Sequence, residues 1–214
     1  MTVTGRGGVA ADAEAVIVNV AAVNPAAAGF LTVFPCDPAV PNASSLNVTT
    51  GVNRANELIA SPSADGEICV FSSIETDIIV DVVGYFEAGS SFNALAPSRF
   101  LDTRPAGDTV DDVAQAEGKL AADTDLPLLV AGRPGVPADA SAVVVNVAAV
   151  AGEGVGFVTV HGCLDPVPTA SSLNFVTAVN VANELIVPIA DDGTICLFAS
   201  EAVHLIADVV GYID

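Results

Sequence analysis

The sequence predicts an all-β protein: two tandem β-sandwich domains with Greek-key or jelly-roll-like connections, each stapled by one disulfide. Three observations predict it: a long internal repeat, period-two alternation of small β-branched residues, and cysteines that recur at the repeat's own offset. Displaced by 127 residues, 3–86 aligns with 130–213 without a gap, and about 45 of the 79 positions in 8–86 are identical. The shared blocks include VNVAAV (18–23 and 145–150), ASSLN (43–47 and 170–174), ANELI (55–59 and 182–186) and DVVGY (81–85 and 208–212). A unit this long exceeds a solenoid repeat, so each copy is expected to close its own core. The expected organisation is a first sandwich over 1–88, a linker over 89–134 packed on a domain, and a second sandwich over 135–214. Because the linker falls inside the second period, the first copy is without an equivalent, as if cut from a longer tandem.

Within each copy the pattern is that of strands. In 15–23, Val16, Val18 and Val20 alternate with Ile17, Asn19 and Ala21, and 30–34 and 68–71 behave alike. The run 78–85 is apolar except for Asp81. Turn signals stand between them: Asn24-Pro25, Asp37-Pro38, Val40-Pro41-Asn42, Ser63-Ala64-Asp65-Gly66 and Asp191-Asp192-Gly193. Six or so short strands per copy favour a sandwich, with a partly open barrel as the alternative. Only 110–121 (VDDVAQAEGKLA) has helical character.

Cys36 and Cys69 recur as Cys163 and Cys196, so a bridge inside each copy is the natural pairing. It implies an oxidising compartment and hence an extracellular or cell-surface protein. Zinc is the competing reading, but the cysteines form no CxxC pairs and no histidine repeats beside them. The chain carries 26 acidic against six basic residues, a formal net charge of -20. That disfavours nucleic acid, which needs clustered Lys and Arg, and anionic membrane surfaces. No apolar run is long enough to insert into a membrane, and residues 1–5 (MTVTG) have neither the basic start nor the apolar stretch of a secretory leader.

The succession FNALAPSRFLDTR (92–104), GVP (135–137), VVVNV, ASSLNF and ADVVGY resembles a tandem domain of secreted actinobacterial proteins. In those an LDTR segment precedes each domain and DVVGY closes it. The resemblance covers nearly the whole chain and implies export, modular repetition and extracellular neighbours. It brings no catalytic site, and the first copy departs from the pattern by lacking an LDTR segment.

Few residues offer chemistry. The histidines, His161 and His204, stand where the first copy has Phe34 and Asp77, so neither belongs to the shared design and no catalytic residue or enzyme activity is expected. Asp65 and Asp192 precede glycine in turns, where an aspartate caps its own backbone. Glu57 and Glu184 could be acid catalysts, but a solvent-facing strand carboxylate is the plainer reading. Asp81 and Asp208 interrupt apolar strands, where an unpaired charge is expensive. Arg99 and Arg104 are the available partners, with Asp102 beside them, and a bidentate pair would lock the LDTR segment onto a domain. No metal ligand set or cofactor is expected, although a calcium site built from the acids is the alternative. Asn19, Asn56, Asn146 and Asn183, with Glu57 and Glu184, are the candidate ligand-binding residues, as satisfiers of backbone or as the lining of a sugar groove. Tyr85 and Tyr212 read as structural residues at strand ends, and tryptophan is absent. The function expected is a non-catalytic spacer or display module. The alternatives are a binder of polysaccharide, cell wall or another extracellular partner, and an adhesive or filament component that self-associates through open strand edges.

Overall fold

The computed structural model of the protein describes residues 1–36, 39–163 and 166–214; the Asp37-Pro38 turn signal lies outside the described residues. The chain is all-β, with four sheets in two sandwiches, and every strand pairing is antiparallel. The first sandwich contains β1 (Ala15–Val23), β2 (Gly29–Pro35), β3 (Leu46–Val48), β4 (Arg54–Ala60), β5 (Ile68–Ser72) and β6 (Asp77–Phe86). Its sheets run β4-β1-β6 and β3-β2-β5. The alternation in β1 sends Val16, Val18, Val20 and Ala22 into the core, where they meet Leu31, Val33, Leu58 and Ile68. Burying each of these valine, leucine and isoleucine side chains contributes about 1.5–3 kcal/mol.

The second sandwich repeats this plan with β9 (Ala142–Val150), β10 (Gly156–His161), β11 (Leu173–Phe175), β12 (Val181–Pro188), β13 (Thr194–Ala199) and β14 (His204–Ile213), and adds β7 (Phe92–Asp102) and β8 (Thr124–Leu129). The segment read as a linker thus supplies two strands. β7 extends one sheet to β12-β9-β14-β7, and β8 extends the other to β11-β10-β13-β8. Phe100 and Leu101 of β7 and Leu128 of β8 enter the second core. In the first copy β6 and β5 lie at the sheet edges, and residues 1–4 run beside β5, with a Thr2–Glu67 bridge and Met1 exchanging two hydrogen bonds with Ile68.

The helical expectation for 110–121 is corrected: these residues form turns. Asp112, Ala114, Ala116 and Gly118 all have positive φ, which interrupts any helix after one residue. The loop is held by side chains. Thr109 donates to the Val113 carbonyl at 2.8 Å, the Gln115 Oε1 accepts the Thr109 amide at 3.0 Å, and Asp111 accepts Arg133 Nε at 2.9 Å.

Both disulfides are formed, Cys36–Cys69 with Cα atoms 4.9 Å apart and Cys163–Cys196 with 4.7 Å. Each joins the end of one strand to its sheet neighbour, β2 to β5 and β10 to β13. The loop so closed crosses to the opposite sheet through β4 or β12 and returns. Asn56 and Asn183 reinforce that crossing in the same way: the Nδ2 of each donates at 2.9 Å to the carbonyl of Ser45 or Ser172, beside β3 or β11.

Candidate functional site

The residues singled out by the sequence gather where the two copies meet. β7 places Arg99 opposite Asp208 of β14, and the guanidinium grips that carboxylate in a fork, Nε to Oδ1 at 2.8 Å and Nη2 to Oδ2 at 3.1 Å. Its remaining nitrogen, Nη1, donates to Asp102 at 3.3 Å and to Asn42 of the first copy at 3.1 Å. Arg104 closes a second fork on Asp102, Nε to Oδ1 at 2.9 Å and Nη2 to Oδ2 at 2.6 Å. The LDTR motif therefore works as a clip: Leu101 packs in the core, Asp102 bridges two arginines, and the Thr103 hydroxyl accepts the Leu205 amide at 2.9 Å.

Charge in this cluster is balanced in place. Burial works against the Arg99 guanidinium, but Asp208 and Asp102 outweigh it and raise its pKa. Burial also pushes the Asp102 carboxyl up, but Arg104 and then Arg99 more than offset this and hold it below the usual range. For Asp208, which is 1% exposed, burial raises the pKa against the pull of Arg99 and of the Ser44 amide.

The outer face of the sheet β12-β9-β14-β7 receives the first copy. Asp208 Oδ2 accepts the Ser44 amide at 2.8 Å, and Asn146 Nδ2 donates to the Ser44 carbonyl, so both backbone groups of one residue are read. Glu184 Oε1 accepts the Ile59 amide at 2.6 Å. Around these bonds Ala15, Phe92, Val144 and Val210 form a small apolar cluster with Ile59 and Phe86 against it. Beside the cluster a groove of about 470 Å³ runs between the copies, lined by Ser44, Asn47, Arg99, Arg104 and Asn180 among others.

The same residues in the first copy are placed differently. Asn19, Glu57 and Asp81 lie on the equivalent sheet face of the first copy; Glu57 borders the crevice shared with Glu184 but bonds to nothing across it, and Glu57 and Asp81 are exposed. Sequence reasoning missed Ser44 and Ile59, which act through backbone groups, Asn42, which acts through its side-chain amide, and Arg133. Arg133 had a signal, since Gly5-Arg6 recurs as Gly132-Arg133 in a chain with few basic residues. Its guanidinium lies 4.3 Å from the Phe100 ring centre, donates to the Phe100 carbonyl at 2.8 Å and pairs with Asp111.

The histidines take no part in the arginine–carboxylate forks. His161 is buried with Nε2 3.4 Å from Asp125, and His204 Nδ1 is 3.2 Å from the Thr103 hydroxyl. Among the described residues no three His, Cys, Asp or Glu side chains converge as a metal site would require, and no helix is long and apolar enough to cross a membrane. No protein-family model matches the chain, and no curated protein matches it.

Glu184 gives the joint a pH dependence. Desolvation in the apolar crevice between Ile17, Ile59, Val144 and Ile186 pushes its carboxyl up from 4.5 to about 8. The folded state then binds a proton the unfolded state has released, so stability falls as pH rises from about 4.5 to about 8 and is flat beyond. The side chain keeps some solvent access, so the expected loss is about 1–3 kcal/mol. Glu184→Gln, which keeps the acceptor for Ile59, should abolish that slope in urea midpoints measured from pH 5 to 9. A slope unchanged in the variant would place its origin elsewhere.

Proposed function

We propose that the chain is a non-catalytic structural module, a spacer or display element of an extracellular or cell-surface protein, in which tandem sandwiches are locked head to tail. The observation that carries this reading is the joint itself: Asp208, Asn146 and Glu184 of one copy bind backbone groups of Ser44 and Ile59 of the other. Shared polar residues suited to line a sugar groove are instead engaged with protein, Asn56 and Asn183 within their copies and Asn146 across the joint. The hydrogen-bonded contact is heterologous, the Ser44 loop and β4 of one unit on a sheet face of the next, which is the geometry that propagates along a chain of units. The Ile79, Asp81 and Val83 part of the first copy's sheet face and the second copy's exposed Ala170 and Ser171, the counterparts of buried Ala43 and Ser44, remain open. The two disulfides support an oxidising location, and the resemblance of the LDTR-to-DVVGY succession to secreted actinobacterial domains supports export.

The test has two parts. Amide ¹⁵N relaxation should give both sandwiches one rotational correlation time, as a locked rod requires. Sedimentation with insoluble polysaccharides and actinobacterial cell walls, with calcium and with chelator, should show no saturable retention. Saturable retention would replace the spacer reading with a binding module, and its loss under chelator would assign a metal to that binding.

A further inference from the structure

We propose that the open edge of β6 in the first sandwich is an acceptor for an LDTR-type strand, an extended segment with the chemistry of residues 92–115 supplied by another repeat unit. The proposal rests on the modular reading above and identifies the partner that the module's free end takes. Four features of the first copy have counterparts in the second that are engaged by β7, by the segment after it or by the joint.

The first is apolar surface. Ile79 and Val83 of β6 are 51% and 57% exposed, whereas their counterparts Ile206 and Val210 in β14, covered by β7 and the joint, are 4% and 6% exposed. The second is Asp81, which among the described residues has no hydrogen-bond or ion-pair partner; its counterpart Asp208 holds Arg99. Arg6 is the third. It is exposed and, among the described residues, donates to the Thr2 carbonyl at 3.3 Å, whereas Arg133 is bound by the Phe100 carbonyl and by Asp111, both from residues 92–115. The fourth is Gly84. A Cβ on its counterpart Gly211 would stand 2.5 Å from the Phe92 ring and 2.8 Å from the Asn93 carbonyl, so β7 requires glycine there. On Gly84 a Cβ would meet nothing nearer than Ile17 Cδ1 at 3.3 Å; the seat for a phenylalanine is built and vacant.

Two of these features, Arg6 and Asp81, share one groove, and the others lie on the same strand as Asp81. Arg6, Val9, Val80, Asp81 and Val82 line one groove of about 300 Å³ beside β6. One anionic and one cationic side chain therefore flank a free row of strand amides and carbonyls. An incoming strand needs an arginine to meet Asp81, a carbonyl and an acid to meet Arg6, and apolar residues between them. In the register of the second copy, Asp81 would face the incoming counterpart of Arg99, and Gly84 that of Ala94. Strand addition gives affinity through the backbone ladder and specificity through such side-chain pairs.

The test is titration of the full chain into a fluorescent synthetic peptide of residues 92–115, followed by anisotropy, with hydrogen exchange on the complex. Saturable one-to-one binding is expected, with new protection of amides in 78–85. Asp81→Asn in the protein, or Arg99→Met in the peptide, should each weaken binding tenfold or more. Asp81 is exposed, so its variant keeps the fold. Absence of binding, equal binding by Asp81→Asn, or protection changes confined to β14 through exchange with the resident β7 would each overturn the proposal. A single rotational correlation time in a chain that does not bind the peptide would leave the spacer reading standing.

Discussion

Replacing Arg99 by methionine is expected to destabilise the second sandwich by about 3–5 kcal/mol, the range seen when one member of a buried ion pair is removed. The guanidinium is 6% exposed and satisfies two carboxylates that are each about 1% exposed, so its loss strands Asp208 without its fork and leaves Asp102 to Arg104 alone. The Ser44 amide and Asn42 side chain, which meet the same cluster, tie the joint to this loss. The denaturant midpoint of the second sandwich should therefore fall together with the restraint between copies. A double variant, Arg99→Met with Asp208→Leu, should recover much of the loss, because it removes the stranded charge as well as its partner. Asp81→Asn, the repeat's equivalent aspartate, should change stability by no more than about 0.5 kcal/mol, as expected of a surface site. Equal effects at Asp81 and Asp208 would contradict the placement of β7. The cluster also sets an acid limit. Asp102 is held below its unfolded pKa, so its contribution is present above about pH 4 and is lost as pH falls through the folded value.

That contrast between Asp81 and Asp208 shows where sequence stops being informative. The sandwich was legible because burial on one face of a strand imposes a period of two, and Val16, Val18 and Val20 display it directly. The disulfides were legible because a repeat offset reduces the possible pairings, and the Asp208 partner was narrowed to two arginines because arginine is scarce. What could not be read is environment. Asn19 and Asn146, Glu57 and Glu184, Asp81 and Asp208 are identical residues in near-identical local sequence, yet the second-copy member of each pair hydrogen-bonds to groups of the joint and the first-copy member does not. Only the position of the neighbouring copy decides which. The β7 and β8 strands escaped for a related reason: 92–102 contains Pro97 and no clean alternation, and its strand character comes from the ladder offered by β14. The same dependence explains the turns at 110–121, where pairing of Asp111 with Arg133 outweighs local helix propensity.

The disulfides should reveal how unequal the two sandwiches are. Each closes a loop spanning 33 positions, for which the chain-entropy model gives about 3–4 kcal/mol of stabilisation. The double variant Cys163→Ser/Cys196→Ser removes this from a sandwich with two four-stranded sheets, a large core and β8 paired along β13. The double variant Cys36→Ser/Cys69→Ser removes it from a sandwich with three-stranded sheets and a smaller core, whose β5 lies at an edge with residues 1–4 beside it. A loss of that size is comparable with the whole stability of a small domain, so the first sandwich should unfold separately at low temperature while the second remains folded. Scanning calorimetry should then resolve two transitions in the Cys36/Cys69 variant, and hydrogen exchange should locate the early one in β1 to β6. Unfolding of the first copy would also withdraw the Ile59 and Ser44 groups from Glu184 and Asp208, returning both carboxylates toward water. The pH slope assigned to Glu184 should accordingly disappear in the range between the two transitions. A single cooperative transition of equal midpoint in both variants would show instead that the joint, not the individual core, is the unit of stability.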